Sequence, residues 1–293
     1  MYSPFQIKES DKFSRAKLKV AVVWFWDQAS SIMPNWRDGH RAAIEEIAKK
    51  HEVVWFLNKQ APDSTEHWDF ILLWDDSNSG FFTDIAKYDC RKGMILTTDP
   101  QNFDNLRKID VVFVESVPVY EAVRAQGIRT IRAMGTDTSF YRPKKREKDI
   151  EYFYPATFSP WKRQQDIAYL GEKLTCIGTL QPDGVEELRF CEEAHVNTII
   201  DYLPAEVIKD YYQRAQHVII PAVHGSERTV LEAMACNILP EVTNPVNVRT
   251  ASYIKEYEEA LKKDPKMTPR KFVVVNYSHK VFARNLLKGI EHG

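Results

Sequence analysis

Short, continuous apolar runs recur along the whole chain, and a stretch with helical spacing lies between most neighbouring pairs. Residues 19–25 (KVAVVWF), 52–58 (EVVWFLN), 69–76 (DFILLWDD), 93–100 (GMILTTDP), 110–116 (DVVFVES) and 129–135 (RTIRAMG) read as strands. A strand with one wet face alternates apolar and polar residues; these runs do not, so both faces are expected to be covered. Between them, residues 40–51 put Ala42, Ile44, Ile47 and Ala48 on one helical stripe, and 102–109 and 119–127 read as further helices. Continuous strands alternating with helices predict an α/β chain with a parallel sheet, wound as a Rossmann-like layer by right-handed crossovers.

The pattern then starts again. The charged, proline-containing run 142–151 (RPKKREKDIE) reads as a solvated linker. After it, 151–157 (EYFYPAT), 174–180, 197–203, 217–223 and 239–243 read as strands, with helices expected at 205–215 and 229–236 and within 182–194. Residues 277–290 carry Val281, Phe282, Leu286 and Ile290 near helical spacing and read as a last helix packing on a finished core. A length of 293 residues suits two such units.

Composition excludes little but narrows the partners. The formal net charge of −1 announces no general polyanion-binding surface. Cys90, Cys176, Cys191 and Cys236 show no CxxC spacing, which suits free thiols in a reducing, cytoplasmic setting. No apolar stretch is long enough to span a bilayer, and the polar start does not read as a signal peptide. No His/Cys/Asp cluster with metal-ligand spacing is visible, so no metal or other cofactor is expected.

Ligands of open parallel sheets bind beyond the carboxyl ends of the strands. In the second unit the strand 217–223 is followed by His224-Gly225-Ser226-Glu227-Arg228, with Thr229 expected to open a helix. Free N–H groups and the helix dipole would favour a diphosphate there, and Arg228 adds charge. Thr229 and Glu232 also fit a T-x-x-E capping box, which is the alternative for Glu232. Asn237 sits where this helix ends and tolerates the left-handed backbone often needed at that point. Lys162 and Arg163 follow the unit's first strand on the same rim, either as phosphate ligands or as ordinary surface charges. Tyr202 and Leu203, after a third strand, can stack on a base or present backbone to it.

At these residues the chain resembles the retaining GT-B glycosyltransferases of family four. Their Glu-x7-Glu motif, typically EGFGLPLLEAMACG-P, matches HGSERTVLEAMACNILP. Its second glutamate, the donor-ribose ligand, falls on Glu232; its first, a contact of the donor sugar, falls on His224, a departure. The G-R-x-S-P-x-K element resembles Ala156–Lys162: Lys162 carries over as a donor-phosphate ligand, while Thr157 replaces the usual arginine, for which Arg228 or Arg163 would compensate. The Tyr202–Leu203 segment is similar to the one that holds the base. Met134-Gly135-Thr136-Asp137 resembles the NGVD stretch before the interdomain linker, and 272–287 the closing helix that crosses back to the N-terminal domain.

The resemblance therefore implies a GT-B fold, two Rossmann-like domains facing a cleft: an acceptor domain over residues 1–147, joined by a crossover helix at 278–293, and a nucleotide-sugar donor domain over 148–277. It implies transfer from a nucleotide-diphosphate sugar to an acceptor hydroxyl with retention, with Glu232, Lys162, His224 and Asp99 as the candidate catalytic residues. Gly39, Thr157, Tyr202, Leu203, Gly225, Ser226, Arg228 and Thr229 are the candidate donor ligands. Gly39 stands for the family's glycine-rich turn, here Trp36 to Gly39. Asp99 stands where the family often carries a histidine, to bond a sugar or activate an acceptor; a helix cap is its alternative. The acceptor is a glycan, lipid or small molecule, with a modified DNA base as a further option because Trp24, Trp26 and Trp36 suit stacked bases as well as sugars. Two rival functions share the fold: a nucleotide-sugar epimerase, and a non-catalytic nucleotide-sugar-binding subunit.

Overall fold

A computed structural model describes residues 17–24, 37–57, 60–78 and 80–291. The first unit runs β1 (Lys19–Trp24), α1 (Gly39–Ala48), β2 (Glu52–Phe56), β3 (Phe70–Asp75), β4 (Arg91–Leu96), α2 (Phe103–Leu106), β5 (Val111–Val114), α3 (Val117–Arg124) and β6 (Thr130–Arg132). Its strands form a parallel six-stranded sheet in the order β2-β1-β3-β4-β5-β6. The unbroken apolar runs are explained by two cores. Val20, Val22, Leu72 and Trp74 face one core, and Ala21, Val23, Ile71 and Leu73 face the other, so alternate residues of β1 and β3 are buried on opposite sides.

The second unit runs β7 (Ile150–Pro155), β8 (Leu174–Gly178), α4 (Val185–Glu193), β9 (Asn197–Ile200), α5 (Ala205–Arg214), β10 (Ala215–Ile220), α6 (Glu227–Ala235) and β11 (Glu241–Val242). It is followed by α7 (Val248–Lys263), α8 (Pro269–Asn276) and α9 (His279–Glu291). The second sheet is parallel, in the order β11-β10-β7-β8-β9. Residues 142–149, between the sheets, carry neither helix nor strand. Two parallel, doubly wound sheets make this the GT-B arrangement of two Rossmann-like units.

The last helix belongs physically to the first sheet. Phe282, Ala283, Leu286 and Ile290 of α9 pack with Ala43, Ile44 and Ile47 of α1 on the β1/β3 face, and Arg91 donates to the carbonyls of Gly289 and Ile290 at its end. The segments preceding the linker and the helix meet directly: the Thr136 N–H donates to the Tyr277 carbonyl and the His279 N–H to the Thr136 carbonyl. Helices α7 and α8 were not expected from apolar spacing. The buried face of α7 is carried by Arg249, Thr250, Ser252, Tyr253 and Tyr257, not by aliphatic residues, and the short α8 buries only Phe272 and Val273; their starts are marked instead by the caps Asn247 and Thr268.

Leu286 is fully buried where α9 meets the first sheet. Leu286→Ala should cost about 2–5 kcal/mol, read as an earlier urea midpoint of the transition that reports the first sheet; an unchanged midpoint would mean that α9 does not support that core.

Candidate active site

The order of the second sheet reverses between β7 and β10, and the chain leaving each of these strands turns into one cavity of about 640 Å³. The second unit lines it with Pro155–Thr157, Lys162, Ile177–Thr179, Asp201–Leu203 and Gly225–Thr229, with Glu232 one helical turn further in. Trp24, Arg37, Asp38, His40, Trp74 and Glu115 line it from the first unit. The cavity thus lies between the carboxyl ends of both sheets.

On the side of the second unit this cavity is built around the start of α6. Gly225 and Ser226 both take left-handed backbone, at φ 73° and 77°, which turns the chain out of β10 and points the first N–H groups of α6 at the cavity. The side chain of the N-cap residue, Ser226, does not cap them. The helix therefore begins at Glu227, two residues before the sequence pattern placed it. Thr229 is its third residue, so the T-x-x-E capping box does not form. The Thr229 hydroxyl donates to the Pro155 carbonyl, at 3.4 Å, and Glu232 is left for other work. The helix ends as expected: Asn237 is left-handed, and the Asn237 and Ile238 N–H groups close on the carbonyls of Met234 and Ala233.

Lys162 reaches the same point. Its ammonium donates to Ser226 Oγ at 3.1 Å, and a Cβ on residue 225 would lie 2.9 Å from Nζ, so glycine there makes room for the lysine. Burial pushes the Lys162 pKa down to about 8, offset in part by Glu227. Glu232 sits deeper, accepting a hydrogen bond from the Tyr212 hydroxyl at 3.1 Å. Burial raises its pKa to about 7, against the pull of Arg228. One enclosed environment therefore moves the lysine and the glutamate toward neutrality from opposite directions.

Two arginines of the second unit form ion pairs with the first. Arg228 Nη1 lies 3.0 Å from Asp38 Oδ2. Arg249, on α7, places Nε 2.6 Å from Glu227, Nη1 3.2 Å from Asp99 and Nη2 3.4 Å from Glu115. Glu115 in turn lies 3.0 Å from His40 Nε2, and the His40 ring stacks on Trp74, which stacks on Trp24. Trp24 is fully buried in that stack and forms the cavity floor, not an open rim.

The structure thus gathers Lys162, Thr157, Tyr202, Leu203, Gly225, Ser226, Arg228, Thr229 and Glu232 around one cavity. It places three candidates elsewhere. Gly39 packs its backbone on Gly135, where a Cβ would come within 1.7 Å of the Gly135 carbonyl, so its glycine is required by that close approach. His224 stacks on Trp161 and lines a separate cavity of about 270 Å³. Asp99 lines that same side cavity, paired with Arg249, while the cap of α2 is Asn102. The Thr157 hydroxyl is held by Thr179, at 2.6 Å from its Oγ1. Arg163 is paired with Asp166 and is absent from the lining, so of the two arginines expected to replace the missing one only Arg228 is on the rim. Trp26 and Trp36 lie outside the described residues. Sequence reading missed His40, Glu115, Glu227 and Arg249; the polar buried face of α7 gave no periodic signal for the last.

No protein-family model and no curated protein matches the sequence. Solved structures do match in fold. HepE (Alr3699) of Anabaena, determined in complex with UDP and glucose, matches with a TM-score of 0.60 at 12% identity, over 94% of this chain and 99% of that one. AviGT4, a glycosyltransferase of avilamycin A biosynthesis, matches with a TM-score of 0.62 at 14% identity, over 94% and 97%. A protein of Listeria monocytogenes assigned as a UDP-N-acetylglucosamine 2-epimerase matches with a TM-score of 0.53 at 12% identity, over 94% and 96%. The chain therefore has the fold of these proteins, over almost its full length.

Because the Glu232 carboxyl is raised from 4.5 to about 7 in the folded state, that state holds an extra proton between those values. Stability from this group is present below pH 4.5 and is lost as pH rises through 7. Glu232→Gln should flatten that fall and be more stable than the parent at pH 8, by of order 1–3 kcal/mol, with little gain at pH 4.5. Urea unfolding at the two pH values checks this; an equal effect at both removes the protonation argument.

Proposed function

We propose that this chain transfers a glycosyl group from a nucleotide-diphosphate sugar to an acceptor hydroxyl, with retention of configuration. The observation that carries the reading is the convergence of an uncapped helix start, the Lys162 ammonium and the Glu232 carboxyl on one cavity between two Rossmann-like units. The unit of residues 148–277 holds the donor. Residues 1–147, with the helix at 278–293, present the acceptor.

In this reading the diphosphate lies at the start of α6. The base lies toward Tyr202 and Leu203, and the Glu232 carboxylate accepts hydrogen bonds from the ribose. As the bond from the sugar to the phosphate breaks, negative charge grows on the diphosphate oxygens. Lys162, Arg228 and the α6 N–H groups meet that charge in an enclosed site, where preorganised dipoles and cations act most strongly. These groups supply the counter-charge, and the scheme calls on no metal ion. The fold neighbours support the reading at the level of architecture: HepE was determined with UDP and glucose, and AviGT4 is a glycosyltransferase.

A second reading, epimerisation of the nucleotide sugar, is favoured by one observation: Asp38, Glu115 and His40 approach the same cavity from the first unit. It needs no acceptor. Incubation with UDP-, GDP- and ADP-sugars alone, followed for isomers, separates the two.

Under the transfer reading, Glu232→Ala and Lys162→Ala each lower donor turnover by at least about a hundredfold, the scale of losing one preorganised charge contact. Parental turnover in both variants removes the assignment. The pH dependence of kcat/KM for the donor should be bell-shaped. Its acid limb falls as Glu232 is protonated below about 7, and its alkaline limb falls as Lys162 loses its proton above about 8. Glu232→Gln should abolish the acid limb and leave the alkaline one.

A further inference from the structure

The cationic rim of the cavity already carries an anion from the opposite unit. Asp38 is fully buried, just before α1, and its two carboxylate oxygens do different things. Oδ1 accepts from the Arg41 N–H at 3.0 Å and so caps α1. Oδ2 lies 3.0 Å from Arg228 Nη1, the second residue of α6, whose side chain is otherwise 53% exposed to the cavity. His40 Nδ1, at 3.8 Å from the same oxygen, is its other near basic group. Both Asp38 and Arg228 line the cavity, so the pair sits inside the space and not on the outer surface.

This arrangement has an electrostatic consequence. A diphosphate at the start of α6 needs Arg228 as counter-charge, yet Arg228 is spent on a carboxylate whose own charge faces the incoming phosphates. Like charges a few ångströms apart in an enclosed site repel strongly. The α6 N–H groups and Lys162 are differently placed: the Ser226 side chain does not cap the first, and the second bonds the Ser226 hydroxyl, the acid that acts on it being Glu227 of its own unit. Of the three parts of the rim, Arg228 alone is paired with an acid of the other unit.

We propose that Asp38 is an internal competitor for the donor's diphosphate: it holds Arg228 while the site is empty, and the diphosphate displaces it, unfastening a contact between the two units. The proposal rests on the reading of the α6 start as the diphosphate site. Donor binding is then an exchange of one anion for another at Arg228, and the free energy of the Asp38–Arg228 pair is subtracted from the donor's affinity. An enzyme built this way holds its units together without donor and loosens one contact on loading.

The test is calorimetry with UDP on the whole protein, comparing the parent with Asp38→Asn, Lys162→Ala and Arg228→Ala. Asparagine keeps an oxygen to cap α1, so the variant is expected to fold, and its melting curve confirms that before titration. Competition predicts that Asp38→Asn binds UDP about two- to fivefold tighter, the range of one partly exposed ion pair. It predicts further that Asp38→Asn on the Arg228→Ala background changes the UDP Kd less than twofold, because the competition runs through Arg228. Unchanged or weaker binding in Asp38→Asn overturns the proposal, weaker binding meaning that Asp38 holds Arg228 in place for the phosphates. An equal gain with and without Arg228 also overturns it, leaving simple repulsion. Tight UDP binding that Lys162→Ala leaves untouched strikes the diphosphate reading instead, and the competitor falls with it.

Discussion

The left-handed turn at Gly225 and Ser226 sets the geometry on which the whole site depends. Two successive residues with positive φ redirect the chain between β10 and α6, and without that turn the helix start would not face the gap between the units. Glycine suits the first position because of its left-handed backbone, and it also leaves the Lys162 ammonium in place, since a Cβ there would make the ammonium shift. The turn is held from outside by α7, where the Asn247 amide and the Thr250 hydroxyl both donate to the Gly225 carbonyl. Asn247 also caps α7, so one residue fixes the start of that helix and the loop that aims α6. The unmatched helix start is thus supported by ordinary, satisfied hydrogen bonds behind it.

Burial of charge is the second constraint, and it ties the units together. Glu115, Glu227 and Arg249 are all buried, and removing one partner of such a group leaves an uncompensated charge in a poorly solvated place. Glu227 shows the tension: burial raises its pKa, and Arg249 opposes the rise. Since Arg249 reaches carboxylates from both units, the relative position of the two sheets is coupled to the ionisation of a residue at the first turn of α6. At the cavity the units therefore meet through ion pairs, Arg228 and Arg249 of the second unit reaching Asp38, Asp99 and Glu115 of the first.

Much of this was legible in the sequence, and the reason is periodicity. Strands covered on both faces must be apolar at every position, so 19–25 and 69–76 announced a sandwiched parallel sheet without further help. The repeat of the pattern after residue 151 announced a second one. Lys162, Gly225, Arg228 and Glu232 stood out as candidates because they lie close to strand ends, where topology alone concentrates ligands, and the structure brings them to one cavity. What escaped has a common cause. His40, Glu115 and Arg249 acquire meaning from partners 75 to 134 residues away in the chain, and no local pattern encodes such pairings. Asp99 and His224 show the converse error. Both follow strands, as ligands do, but neither lines the main cavity; Arg249 pairs with one and Trp161 stacks on the other. Position beyond a strand end is therefore not sufficient to bring a side chain to the main cavity.

The two shifted groups show how the enclosure itself tunes the site. In water a lysine and a glutamate are both fully charged at neutral pH, and their pKa values lie far apart. Here burial brings Lys162 down to about 8 and Glu232 up to about 7, within reach of one another. Neither group is buried by chance in an apolar core: each has a partner suited to its polar form, Ser226 for the ammonium and Tyr212 for the carboxylate. A site with those properties is costly while empty, because its charges have lost water and the hydroxyls of Ser226 and Tyr212, with the more distant charges of Glu227 and Arg228, offset that loss only in part. A ligand that brings an anion to the lysine and hydroxyl donors to the carboxylate relieves both costs at once. A diphosphate joined to a ribose has those two features at adjacent positions, and this complementarity, more than any single residue, is the physical argument for a nucleotide-diphosphate sugar.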